Sequence, residues 1–142
     1  MIRTAGAADR DAVRELLREY ADGLGVDLSF QDFETELADP LSFYEVVLLA
    51  EGGCVTLRRI DDETCEMKRL YVRPTARGGG LGRRLAEAVI AEARARGYGR
   101  MLLDTLPTMT EARSLYARLG FVEAEAYRYN PIPGTTFLEL RL

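Results

Sequence analysis

One stretch constrains the fold more than any other. The run Thr64-Cys65-Glu66-Met67-Lys68-Arg69-Leu70-Tyr71-Val72-Arg73-Pro74 leads into Arg77-Gly78-Gly79-Gly80-Leu81-Gly82. The strongest amphipathic pattern of the chain starts there, with Leu81, Leu85, Ala88, Val89 and Ala93 at helical spacing. Proline has no amide hydrogen and stops a central strand, so Pro74 ends the first element. The next apolar run, Met101–Thr105, is a further strand. Strand, glycine tract, helix and strand in that order predict a right-handed parallel crossover.

Within the first of these strands the period-2 pattern slips. Cys65 and Met67 share one face, whereas Leu70 and Val72 fall in the opposite phase. A slip of one residue predicts a β-bulge near Lys68-Arg69. The alternative is that one of the two pairs faces a second core. A bulge would splay the strand and leave backbone groups free to bind something else.

The remaining elements follow from spacing and punctuation. Ile2–Ala5 reads as a short strand. A helix opening at Ala8 or Asp9 places Val13, Leu16, Leu17 and Tyr20 on one face and ends at Gly23 or Gly25. A second helix is predicted from about Phe30 to Ala38, stopped by Asp39-Pro40. Tyr44–Ala50, Cys54–Ile60 and Thr64–Val72 form an antiparallel meander through turns at Glu51-Gly52-Gly53 and Asp61-Asp62-Glu63. Thr108 or Thr110 caps a helix running to Leu119, and Phe121–Tyr127 and Thr136–Leu142 make a last pair of strands. The expected architecture is α/β (α+β): a mixed sheet with helices on both faces, in one domain spanning residues 1–142.

Composition removes whole classes of chemistry. The chain has no histidine, which excludes imidazole catalysis, Ser-His-Asp and Cys-His systems and His-based zinc sites. Two cysteines, Cys54 and Cys65, are too few for a zinc ribbon or a disulfide framework, and they read as buried apolar packing. No apolar run approaches a membrane span and Met1–Gly6 lacks a signal-peptide pattern, so the expected location is the cytoplasm. The net charge of −4 is uneven, with residues 1–67 strongly acidic and residues 68–100 strongly basic. A basic block inside an acidic protein predicts a locally held anion and argues against a nucleic-acid partner.

The glycine tract sits in that block. Glycine lets the backbone approach a ligand closely. The first amides of a helix have no intrahelical acceptor, and the helix dipole favours an anion beside them. Arg77, Arg83 and Arg84 add charge, so a pyrophosphate is the expected ligand. A P-loop needs Gly-Lys-Ser/Thr, but Gly82 is followed by Arg83-Arg84. A dinucleotide fingerprint belongs on a first βαβ unit, whereas this tract follows a meander.

At these residues the chain resembles the GCN5-related N-acetyltransferase (GNAT) superfamily. Its signature Arg/Gln-x-x-Gly-x-Gly/Ala is met by Arg77, Gly80 and Gly82. The block Ala112-Arg113-Ser114-Leu115-Tyr116-Ala117-Arg118-Leu119-Gly120-Phe121 is similar to a second marker of the family. The resemblance covers nearly the whole chain. It implies the GNAT fold, acetyl-CoA as cosubstrate and direct transfer to a primary amine.

The same resemblance implies roles for single residues. The strand Leu70-Tyr71-Val72 would lie along the cosubstrate, with the backbone of Leu70 and Val72 pairing with its pantetheine amides. Gly78, Gly79, Gly80, Leu81 and Gly82 would hold the pyrophosphate, with Arg77 and Arg83 beside them. Tyr116 would protonate the departing thiolate. Glu66 is the candidate base, and Asp104 the second one. Met109 stands where many members carry Asn. The acidic first half favours a cationic small-molecule amine as acceptor, and dimers are common among similar proteins. An acyl-CoA-binding or sensing module of the same fold is the alternative to an enzyme.

Overall fold

The computed structural model describes residues 1–25, 27–29 and 32–142. Strand β1 is Arg3–Thr4, and a 3-10 turn at Ala7–Asp9 leads into α1, Arg10–Leu24. Asp9 accepts two hydrogen bonds from the Arg3 guanidinium and one from the Gly6 amide, which fixes the entry to α1. Gly25, at φ 65°, closes it. Its buried face is Val13, Leu16 and Leu17, as the spacing requires.

Helix α2 is Phe33–Ala38. The predicted start of that helix at Phe30 lies outside the described residues. Pro40 does more than stop it: it occupies the first turn of a short further helix, α3, Pro40–Phe43, where its missing amide costs nothing. Strands β2 (Val46–Ala50), β3 (Gly53–Arg59) and β4 (Thr64–Val72) form the expected antiparallel meander. A 3-10 turn at Pro74–Ala76 precedes α4, Leu81–Ala95. Then come β5 (Arg100–Thr105), α5 (Thr110–Leu119), β6 (Val122–Glu123) and β7 (Thr136–Arg141).

Among the described residues the sheet order is β1-β2-β3-β4-β5-β7-β6. Every neighbouring pair is antiparallel except β4 and β5, which are parallel. Alternation along β2 separates two cores. Val46, Leu48 and Ala50 pack with α4 residues Leu85, Val89 and Ala93. Val47 and Leu49 pack with α1 residues Val13, Leu16 and Leu17. Cys54 and Cys65 fall in different cores, so they cannot pair with each other, and both are free and buried.

The bulge is present where the phase slip placed it. Thr56 faces Lys68 and Cys54 faces Tyr71, so Val55 alone opposes Arg69 and Leu70. Arg69 takes φ 58°, in the left-handed region. The extra residue restores the phase: Cys65, Met67, Leu70 and Val72 all pack on the α4 core. No second core is needed for Leu70 and Val72.

Two local expectations are corrected. Neither Thr108 nor Thr110 caps α5; Met109 is the capping residue and no side chain bonds the first turn, so Thr110 is already helical. The predicted strand Phe121–Tyr127 shrinks to Val122–Glu123. Pairing with β7 fades at Ala124, whose amide donates to Phe137 O at 2.8 Å, because the chain then turns so that Tyr127 and Arg128 reach Glu66.

Candidate active site

The parallel pairing of β4 with β5 is short: Thr64 with Arg100, Cys65 with Met101 and Glu66 with Leu102. Beyond Glu66 the two strands diverge, while β5 stays paired with β7 as far as Thr105. The split opens a cleft of about 740 Å³. Its walls are Met67–Val72 on one side and Leu103 and Asp104 on the other, closed by the start of α4 and by α5. The bulge prepares one wall, because a strand that bends at Arg69 cannot follow its neighbour.

The glycine tract forms one end of the cleft. Gly78 and Gly80 have φ 91° and 78°, which a side chain would strain. Arg84 braces the loop by donating to Gly79 O at 2.7 Å, and Arg77 Nε donates to Val72 O at 3.0 Å. The Arg84 amide bonds back to Gly80 O. The amides of Leu81, Gly82 and Arg83 precede it and have no acceptor within the helix. Gly82 sits under Val72, where an added Cβ would lie 3.7 Å from Val72 Cγ2. The tract is thus a cradle of exposed amides with Arg77 and Arg83 at its rim.

Most residues singled out in the sequence meet here. Leu70, Tyr71, Val72, Arg77, Gly78, Gly80, Leu81, Gly82, Arg83 and Tyr116 all line the one cleft. Gly79 is not among the lining residues; its carbonyl serves Arg84. Tyr116 is buried against Phe121, with ring centroids 5.6 Å apart, and reaches the cleft from the α4 side. Burial pushes its phenol well above the ordinary value, so at neutral pH it keeps its proton. Met109 also lines the cleft, its sulfur accepting from Thr105 Oγ1 at 3.6 Å.

Glu66 is placed differently. Its side chain is fully buried and does not line the cleft. Tyr127 Oη donates to one carboxylate oxygen and Arg128 Nη2 to the other, at 2.6 Å for Arg128. Asp104 does line the cleft and accepts from Asn130 Nδ2 at 3.1 Å. The segment after β6 therefore reaches β4 and β5 through three side chains, of which Asn130 alone touches a residue of the cleft wall, Asp104.

Sequence reasoning did not assign Lys68, Arg69 and Tyr20 to the site, although all three line the cleft. Tyr20 comes from α1, and its place there depends on how α1 crosses the sheet. Lys68 is buried at 5% exposure. Burial lowers it to about 8, with Arg69 and Arg128 acting in the same direction and Glu66 and Asp104 opposing.

Comparison with known proteins agrees with this geometry. Residues 10–121 match the model of the acetyltransferase (GNAT) family. An N-acetyltransferase of Schizosaccharomyces pombe is 39% identical over 94% of this chain and 89% of its own length. An acetyltransferase structure from Streptococcus agalactiae superposes with a TM-score of 0.78 at 22% identity, covering 100% of this chain and 98% of the other. The Salmonella typhimurium protein yncA, solved with its cofactor acetyl-CoA, gives 0.69 at 26% identity over 99% and 92%. A mixed sheet split between two parallel strands, with a glycine tract at one end, defines an acyltransferase fold. This chain belongs to the GNAT family of acetyltransferases.

Proposed function

We propose that the protein is an acetyl-CoA-dependent N-acetyltransferase that passes the acetyl group directly to a primary amine of a small molecule. One observation carries this reading: the β4–β5 split, the amide cradle and Tyr116 converge on a single cleft. The cradle suits a pyrophosphate, since its amides lack acceptors and its glycines leave room for close approach. The open edge of β4 past Glu66 suits amide groups laid alongside it as an added strand, with Leu70 and Val72 as the pairing positions.

The thioester supplies the activated acetyl group. The protein's part is to hold the two reactants in line within a cleft that partly excludes water. Tyr116 holds its proton at neutral pH and gives it to the leaving sulfur, and the second proton that the nitrogen sheds as it becomes an amide restores the phenol. Glu66 enters as a positioning residue: through Tyr127 and Arg128 it fixes the segment after β6, whose Asn130 holds Asp104 at the cleft wall.

The test is release of free thiol from acetyl-CoA with a panel of alkylamines, polyamines, amino acids, amino sugars and a short peptide. Amine-dependent release with an acetylated product is the expected result. Tight acetyl-CoA binding with no turnover on any amine would replace the enzyme by an acyl-CoA-binding module.

A further inference from the structure

Lysine occurs once in this chain. Of its 19 basic side chains every one is arginine except Lys68, and there is no histidine. Arginine keeps its proton at any pH at which a protein stays folded. Lys68 is therefore the sole basic side chain that can give up its proton in the folded protein, and it lines the cleft.

Its position is specific. Lys68 follows Glu66 by two residues on β4, so it shares the face of Glu66, opposite Met67. Glu66 is the last residue of β4 paired with β5. Asp104 follows its partner Leu102 by two on β5. Lys68 and Asp104 thus face each other across the mouth of the split, on the side of α1, while Tyr116 approaches from the side of α4. Thr56 Oγ1 donates to Lys68 O at 2.8 Å and roots the strand there.

Among the described residues, charged and titratable groups face Lys68 from four elements. On β4, Glu66 is engaged by Arg128, and Arg69 by Glu36 of α2. Arg128 and Tyr127 come from the segment after β6, Asp104 from β5 and Tyr20 from α1. An alkylamine reaches the enzyme as an ammonium and must lose a proton before it can attack. Each Glu66 oxygen already accepts a hydrogen bond, from Tyr127 or Arg128, and the fully buried side chain does not line the cleft.

We propose that Lys68 is the proton acceptor for the incoming ammonium, with Asp104 holding that ammonium at the mouth of the split. One N–H bond of R–NH3+ breaks and its electron pair stays on nitrogen as the attacking lone pair. The proton forms a bond to Nζ, giving R–NH2 and a protonated Lys68, and passes to water after turnover. Burial supports the role: with a value of about 8, roughly a tenth of Lys68 is neutral at pH 7. The proposal rests on the acetyltransferase reading above.

Because the lysine is unique, protein carrying isotope-labelled lysine gives one side-chain signal in a heteronuclear NMR titration. The expected midpoint lies near 8; one at the ordinary lysine value of about 10.4 overturns the proposal. Lys68→Arg keeps the charge but cannot accept a proton. With the best amine of the panel, its kcat/KM should fall about 10²-fold near neutral pH, and the rise of kcat/KM toward pH 8 should vanish. Acetyl-CoA affinity, measured by calorimetry, should stay within about twofold. If Lys68→Arg keeps kcat/KM within about threefold, Lys68 is a cationic anchor and the proposal fails. Lys68→Met covers the case in which Arg does not fit, and wild-type kcat/KM in that folded variant is equally fatal. If the wild type turns over no amine while binding acetyl-CoA, the acetyltransferase reading itself falls, whatever the titration gives.

Discussion

Glu36 and Arg69 form a buried, two-pronged ion pair between α2 and the bulge of β4. Arg69 Nε donates to Glu36 Oε2 and Nη2 to Oε1, each at 2.9 Å. The guanidinium also lies 5.4 Å from the ring centre of Tyr20 and 5.5 Å from that of Phe33. The pair ties α2 to the residue that bends β4. Removing one partner leaves a buried charge uncompensated, which costs several kcal/mol, whereas replacing both with apolar groups costs far less. Glu36→Ala should therefore lose about 3 kcal/mol of stability in urea unfolding, and Glu36→Leu with Arg69→Met should recover most of it. Additive losses in the double variant would show that the two side chains act independently.

The loop is tested at Gly80. A glutamate there brings strain at φ 78° and a negative charge beside the amide cradle. Acetyl-CoA affinity should fall at least about tenfold, or about 1.4 kcal/mol, by calorimetry. Unchanged affinity in a folded Gly80→Glu protein would remove the tract from the binding site.

For Tyr116 the informative change is to Phe, which keeps the ring against Phe121 and deletes the proton. As the acid, Tyr116 should cost about 10²-fold in kcat when lost, with acetyl-CoA affinity and Tm nearly constant. Near-normal kcat in a chemistry-limited assay would leave the leaving group to water.

The thiols give a prediction in pH. Burial pushes both Cys54 and Cys65 up to about 12. An unfolded thiol ionises near 8.5, so above that pH the unfolded chain has lost protons that the folded chain retains. This contribution to stability is complete below about 8.5 and is lost as pH rises toward about 12. Cys54→Ala should flatten the alkaline fall measured by urea unfolding at successive pH values. A thiol reagent should label neither cysteine in the native protein and both in denaturant; rapid native labelling would contradict the burial.

Much of this protein could be read directly from its residues. Helical and strand periods are local, so α1, α4 and the β2–β4 meander follow from spacing, and the phase slip between Met67 and Leu70 locates the bulge. The glycine tract is equally local, since φ 91° at Gly78 and 78° at Gly80 are positions that glycine alone takes without strain. Long-range pairing decided the rest. Ending the β4–β5 ladder at Glu66 and Leu102 sets where the cleft opens, and no local pattern encodes where two strands part. Glu66 reads as a cleft carboxylate until Tyr127 and Arg128, some sixty residues away, fold back and occupy both its oxygens. Lys68 was visible as a residue but not as an environment: a lysine's charge state depends on its burial and on the charges brought near it, and only the folded chain brings Asp104 of β5 and Arg128 of the segment after β6 around it.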